Sequence, residues 1–293
     1  MKSGVLCGVF FSVITAGGFA VDNRFAALGD GIVAGRIGEF EVYMLVENRG
    51  QGRPSILIGA DETLWKQYLP GGSCESETNT FLIRGQDRII IVDTGFGGAI
   101  FDHMKTLGVG PGDVDAVLIT HMHGDHIGGL QRDGRPLFPK AAVYLAQQEK
   151  EYWVDRNPGG SAAAALAPYG SRVKTFLPGE PGAAVRELFP GVSPIAAFGH
   201  TPGHTLFLIE SGGQKLLIWG DLMHVQDIQF PRPDISVTYD MDPAAAAAVR
   251  RRILDYAVAN NIPVAGMHLV YPAVGAVKPD DPADRAYRFE PVF

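Results

Sequence analysis

Within six residues, His121, His123, Asp125 and His126 appear in the string HMHGDH. The whole chain has only eight histidines, so three of them crowd one short stretch. Imidazoles and a carboxylate packed together without a counter-cation would be costly to desolvate. A bound metal removes that cost. In a loop, alternate residues can point the same way, so His121 and His123 can share one ion. Asp125 and His126 then point elsewhere and can begin a second site. A structural zinc is closed by four protein ligands, whereas a catalytic zinc keeps a position open for water.

The remaining ligands lie further along, each directly after an apolar run. GHTPGH supplies His200 and His204, LLIWGD ends on Asp221, and IPVAGMH ends on His268. Asp93 follows RIIIV in the same way. A repeated pattern of strand, then ligand, uses one edge of a sheet as a platform, and open α/β sheets bind ligands at the carboxyl ends of their strands. His121, His123 and His200 would give one metal three nitrogens. Asp125, His126 and His268 would serve the second, and Asp221 is placed to bridge both. Seven ligands exceed what one zinc can use. Zinc suits this nitrogen-rich set best, with cobalt, manganese or iron as alternatives.

The elements that must position these residues are readable. Residues 116–120 (AVLIT) are short, apolar and β-branched, which predicts a buried strand, and GDHIGG predicts a turn into a helix start. Residues 40–50 and 55–60 read as antiparallel strands, and residues 78–95 as a hairpin turning at Gly85 to Asp87. A helix is expected after Asp242, its N-cap, with Pro243 in the first turn. Val249, Ile253 and Ala257 recur on one face of it. Arg250 to Arg252 read as its solvated face. Residues 157–170, rich in glycine, proline and alanine, read equally as a cover over the site or as a plain surface connection. Leu222, Met223, Trp153 and Phe230 could wall a substrate cavity, but core packing is the simpler reading.

The 293 residues carry a net charge of −7, with 46% hydrophobic and 19% charged residues. These values fit a globular enzyme, and the lack of a basic stripe disfavours nucleic-acid partners. Residues 1–20 combine Lys2, an apolar run and a small-residue site ending at Ala20, which reads as a secretory signal. The run is too short for a stable membrane anchor. Export to the periplasm or beyond is expected, with residues 21–293 as one domain. Removal of Cys7 would leave Cys74 alone, read as a loop residue, with no intramolecular disulfide.

HMHGDH, GHTPGH, the later GD and the late GMH, in this order, resemble the metallo-β-lactamase-fold hydrolases. Within that family, the stretch from GHTPGH to the final YRFEPV resembles the methyl parathion hydrolase and lactonase-like group. The resemblance implies an α/β fold, a four-layer αβ/βα sandwich with two metals in a groove between its sheets. It also implies that Asp93 and His204 steady the ligands without binding metal themselves. The implied chemistry is a metal-bridging hydroxide that attacks a lactone, ester or phosphotriester. Asp125 would bind metal and shuttle a proton. Relatives of other activity share the fold: an iron-dependent sulfur dioxygenase type and a glyoxalase II thioesterase type. The expected partner is a small-molecule substrate, and homodimer formation is left open. His224, three residues past Asp221, departs from the tyrosine of the lactonases and from the apolar residue of the parathion hydrolases. It is a candidate to donate to a developing oxyanion or to the leaving group.

Overall fold

The computed structural model describes residues 24–281 and 286–293. The expected signal, residues 1–20, lies outside the described residues. Two large β-sheets face one another across a shared core. The first runs, in spatial order, Phe25–Gly29, Ile32–Ile37, Phe40–Gly52, Cys74–Gly85, Arg88–Val92, Ala116–Leu118, Ala142–Ala146 and Val173–Phe176. The second runs Val192–Ala196, Thr205–Ser211, Gln214–Ile218, Val264–Ala265, Val274–Asp281 and Ala286–Pro291.

The first sheet opens as an antiparallel meander. Gln86 and Asp87 take φ of 52° and 57° in its tight turn between Gly85 and Arg88, the left-handed pair that a two-residue hairpin needs. From Arg88–Val92 onward the pairing turns parallel, through Ala116–Leu118 and Ala142–Ala146 to Val173–Phe176. Parallel neighbours need crossover connections, and these carry the helices Ala99–Thr106 and Ser161–Leu166. Strands covered on both faces must be apolar on both. Ala116 and Leu118 accordingly face the core between the sheets, while Val117 faces the core beneath those helices. Each such buried aliphatic side chain contributes roughly 1.5–3 kcal/mol. The long helix Pro243–Ala259 adds Val249, Ile253, Leu254 and Ala257 to the first of these cores. Its N-cap is Asp242, whose carboxylate accepts from the Ala245 N–H at 3.0 Å. The result is the four-layer αβ/βα sandwich.

Several expectations are corrected. Residues 55–60 do not form one strand. Pro54 starts a single tight turn, Pro54–Ile56, and only Leu57–Ile58 pairs, with Ser236–Val237. Cys74 is not a loop residue: it begins the strand Cys74–Gly85 and is buried. Arg250 is not solvated. It is 1% exposed, and its guanidinium donates to the carbonyls of Leu222, Pro233 and Ile235 at 2.7–2.9 Å. Residues 157–170 do not cover the groove. Ala162, Ala165, Leu166 and Tyr169 pack into the core under the first sheet, because small alanine side chains let that short helix approach closely. Among the described residues no helix is long and apolar enough to cross a membrane.

Gly199 links this frame to the site. Its φ is +143°, and a Cβ there would lie 2.4 Å from the Ala246 backbone nitrogen. The loop carrying His200 is thus pressed against the first turn of the long helix, and the Asp242 N–H donates to the Gly199 carbonyl at 2.9 Å. Gly199→Ala is expected to cost about 2–4 kcal/mol of unfolding free energy through backbone strain and overpacking. Urea unfolding checks this, and a loss below about 0.5 kcal/mol, the size of an ordinary surface change, would show that the helix yields freely.

Candidate metal centre

The side chains expected at the site leave from strand ends on both sheets. His121 and His123 follow Ala116–Leu118, Asp221 follows Gln214–Ile218, and His268 follows Val264–Ala265. Gly220 makes the last turn before Asp221. Its φ is +55°, and a Cβ there would meet His204 Nε2 at 2.5 Å. The same Cβ would meet Thr120 Cβ, in the loop of the first sheet, at 3.1 Å, so only glycine lets the loops come this close.

Three imidazole nitrogens face one point. His121 Nε2 and His123 Nδ1 are 3.0 Å apart, His200 Nε2 and His123 Nδ1 3.0 Å, and His200 Nε2 and His121 Nε2 3.2 Å. Three nitrogens cannot all donate to one another. Tetrahedral ligands at zinc–nitrogen distances of about 2.0–2.1 Å stand ~3.3 Å apart, close to this triangle. Asp221 Oδ2 lies 3.5 Å from His121 Nε2 and 3.3 Å from His200 Nε2. Asp125, His126 and His268 form a second group, and its nitrogens also face Asp221: His126 Nε2 is 3.1 Å from Oδ1 and His268 Nε2 3.1 Å from Oδ2. His126 Nε2 and Asp221 Oδ1 are both buried without a hydrogen-bond partner. Converging lone pairs, two carboxylates and orphaned buried donor atoms fit divalent cations, so a divalent metal site is the reading this donor set supports.

The outward nitrogens of four of these histidines are fixed, which sets the tautomers. His126 Nδ1–H donates to Asp93 Oδ2 at 2.7 Å, His200 Nδ1–H to Asp240 Oδ1 at 2.8 Å, and His268 Nδ1–H to the Glu77 carbonyl at 2.7 Å. The Thr120 hydroxyl donates to Asp93 at 2.6 Å and accepts from His121 Nδ1–H at 3.1 Å. His204 has both nitrogens engaged: Nδ1–H donates to the Ala197 carbonyl, and Nε2 accepts from the Asp221 N–H, each at 3.0 Å. Burial lowers His123 to about 4 and His204 to about 3, leaving neutral rings. Burial also opposes charge on His268, but Asp221 and Asp125 outweigh it and raise that ring to about 10. A proton there does what a metal cation would do.

His224 joins the cluster. Its Nε2 is 3.1 Å from Asp221 Oδ2, and its ring stacks on His268 with centroids 4.8 Å apart. Burial lowers it to about 4. The backbone beneath it is held from elsewhere. Gln229 Oε1 accepts from the His224 and Val225 N–H groups, and Gln229 Nε2 donates to the Ile235 carbonyl. A cavity of about 580 Å³ opens over His123, Asp125, Asp221, His224 and His268. Leu222, Met223 and Phe230 lie in the core, and Trp153 stands edge-on to His123 with ring centroids 5.5 Å apart.

Two carboxylates went unread in the sequence. Asp240 holds His200, forty residues away. Glu149 is fully buried and fastens the two ligand loops together. Its Oε2 accepts from the Met122 N–H at 3.0 Å, and its Oε1 from the Gly203 N–H at 2.8 Å. Glu149 sits in a polar run, QQEKEYW, that looks like an exposed helix start, so no local signal marks it.

Residues 75–261 match the family model of the metallo-beta-lactamase superfamily, and the chain belongs to that superfamily. The solved hydrolase AbOPH, of the beta lactamase superfamily, superposes with a TM-score of 0.79 at 26% identity, covering 90% of this chain and 98% of its own. AidC, a dizinc quorum-quenching lactonase solved with a product, N-hexanoyl-L-homoserine, gives a TM-score of 0.79 at 23% identity, covering 89% and 97%. The anti-Pycsar protein Apyc1 of Paenibacillus sp. (strain J14) is 42% identical over 113 residues, 36% of this chain and 40% of that protein. The chain matches less than half the length of each such curated relative.

Glu149→Gln removes one acceptor while keeping the shape, so one loop N–H loses its partner. Zinc affinity, measured by chelator competition, is expected to fall about 10–100-fold, as when a partner of a metal ligand is removed. Unchanged affinity would show that the two loops hold their places without the clamp.

Proposed function

We propose that this protein is an exported, dinuclear metal-dependent hydrolase of lactones and aryl esters, with phosphotriesters as a further substrate class. The observation that carries this reading is the position of Asp221 beneath one open cavity, within 3.1–3.5 Å of imidazole nitrogens from both donor groups. One group alone would serve a mononuclear site. The likeness to AidC, named as a dizinc lactonase, supports the lactone class.

Two divalent ions held there would supply Lewis acidity toward a substrate oxygen and lower the pKa of water to ~7. The chain's own residues do the rest. His121, His123 and His200 form one set of donors, Asp125, His126 and His268 the other, and Asp221 serves both. Asp93, Asp240 and the Glu77 carbonyl fix which imidazole nitrogen faces inward. Burial works against charge on Asp125, but His126 and His268 hold its carboxyl well below the usual range. It therefore stays an ionised hydrogen-bond acceptor, with Oδ2 3.4 Å from His268 Nε2; the carboxylate oxygen left free of the metal is the one placed to relay a proton. His224, neutral at pH 7, holds Nε2 3.1 Å from Asp221 Oδ2 and can donate its Nε2–H to the substrate oxygen only by exchanging that contact as charge develops there.

Protein purified without chelator is expected to carry about two ions per chain and to open γ-lactones and cleave aryl esters. Exhaustive dialysis against a chelator should abolish both activities, and zinc should restore them. One ion or fewer after zinc supplementation, or turnover that survives metal removal, would overturn the dinuclear reading.

His224→Leu separates a donor from a bystander. Metal content should hold, and lactone and ester turnover should drop at least ~10-fold, the lower range for proton help. Turnover of a phosphotriester with a good aryl leaving group should suffer less. Lactone rates within about twofold of the parent, far below that range, would exclude a role for the ring.

A further inference from the structure

One wall of the cavity is built by two paired strands. Asn48 pairs with Thr78, Gly50 with Ser76 and Gly52 with Cys74. Side chains two apart on a strand share a face, and Thr78, Ser76 and Cys74 all line the cavity. The opposite strand offers Asn48 and then glycine. A Cβ on Gly50 would meet nothing nearer than 4.0 Å, and a Cβ on Gly52 would collide with the Cys74 thiol at 2.7 Å. The wall is thus a row of short, mostly polar side chains. It starts beside the metal centre, where the Glu77 carbonyl holds His268. From Thr78 to Cys74 it extends ~14 Å at about 3.4 Å per residue. At its far end, directly after Gly52, stands Arg53.

Arg53 is exposed and lines the cavity, and among the described residues no carboxylate pairs with it. The adjoining hollow that it also borders contains Glu62, but that carboxylate is taken by Lys66 at 2.8 Å. The cavity's own carboxylates, Asp125 and Asp221, both belong to the metal centre. Arg53 is also the one lysine or arginine among the residues that line this cavity. Its planar fork matches a carboxylate in two-point contact.

We infer that Arg53 is a specificity-determining residue that binds a carboxylate of the substrate, at the end remote from the bond being cleaved. The preferred substrates are then esters or lactones whose acyl part ends in an acid, rather than ones with a plain alkyl tail. This rests on the hydrolase reading above. The length of the wall, less the reach of the arginine side chain, asks for a spacer of several methylenes.

The test compares para-nitrophenyl monoesters of adipic and suberic acid with the hexanoate and octanoate of equal carbon number. The zinc-loaded parent should favour the acidic esters in kcat/KM, chiefly through a lower KM. Arg53→Gln should cut that preference at least ~10-fold, within the range expected for a lost charge-assisted pair, and Arg53→Lys should restore part of it. A parent that favours the neutral esters, or an Arg53→Gln variant with unchanged preference, overturns the assignment. Calorimetric titration of zinc-loaded protein with suberate provides a readout without turnover. If the parent cleaves none of the esters, the hydrolase reading fails, yet weaker suberate binding by Arg53→Gln still upholds Arg53 as the carboxylate site. Equal suberate binding by parent and variant overturns it.

Discussion

The Asp221 carboxylate is the hub on which the rest of the site depends. Five imidazole nitrogens, from His121, His126, His200, His224 and His268, stand 3.1–3.5 Å from its two oxygens. Burial alone would push such a carboxyl up, but the surrounding rings hold it well below the usual range. A cluster of this charge density is tolerable in a protein interior only if every group is paired or shares a cation. That requirement explains why the loops of both sheets must meet at one place, and why glycines stand where their backbones touch.

Rigidity follows from where the supports are anchored. His126 is held by Asp93 on the first sheet, and His200 by Asp240 in the segment before the long helix. Glu149 spans the two sheets by taking one N–H from each ligand loop. No salt bridge to a cationic side chain balances Glu149 among the described residues, and its burial raises its pKa. A carboxyl buried at that cost is hard to explain by packing, and natural when its two oxygens fix the spacing of a three-nitrogen triangle.

Much of this was legible in the sequence. The ligand-type residues announce themselves because each follows an apolar run, and the strand-then-ligand rhythm encodes the sheet edge. The long helix was equally clear, since Asp242, Pro243 and the Val249, Ile253, Ala257 stripe are local signals. What was not legible depended on distance. Arg250 reads as solvated from its neighbours Arg251 and Arg252, and only the fold shows three backbone carbonyls waiting for it. Glu149 and Asp240 act on residues tens of positions away, and no periodicity reports such pairing. Residues 55–60 have strand-like composition, but Pro54 imposes a turn and leaves only two residues to pair.

The loop after Asp221 keeps its shape without help from the side chain at position 224. Gln229 ties down the backbone N–H groups of His224 and Val225, and Arg250 grips the carbonyls of Leu222, Pro233 and Ile235. The side chain at 224 is thus a fitting mounted on a frame that others hold rigid. Exchanging it alters what the cavity presents to a substrate and leaves the frame standing. Such a position can drift between chemistries over generations while the protein continues to fold, a freedom denied to its neighbour Asp221.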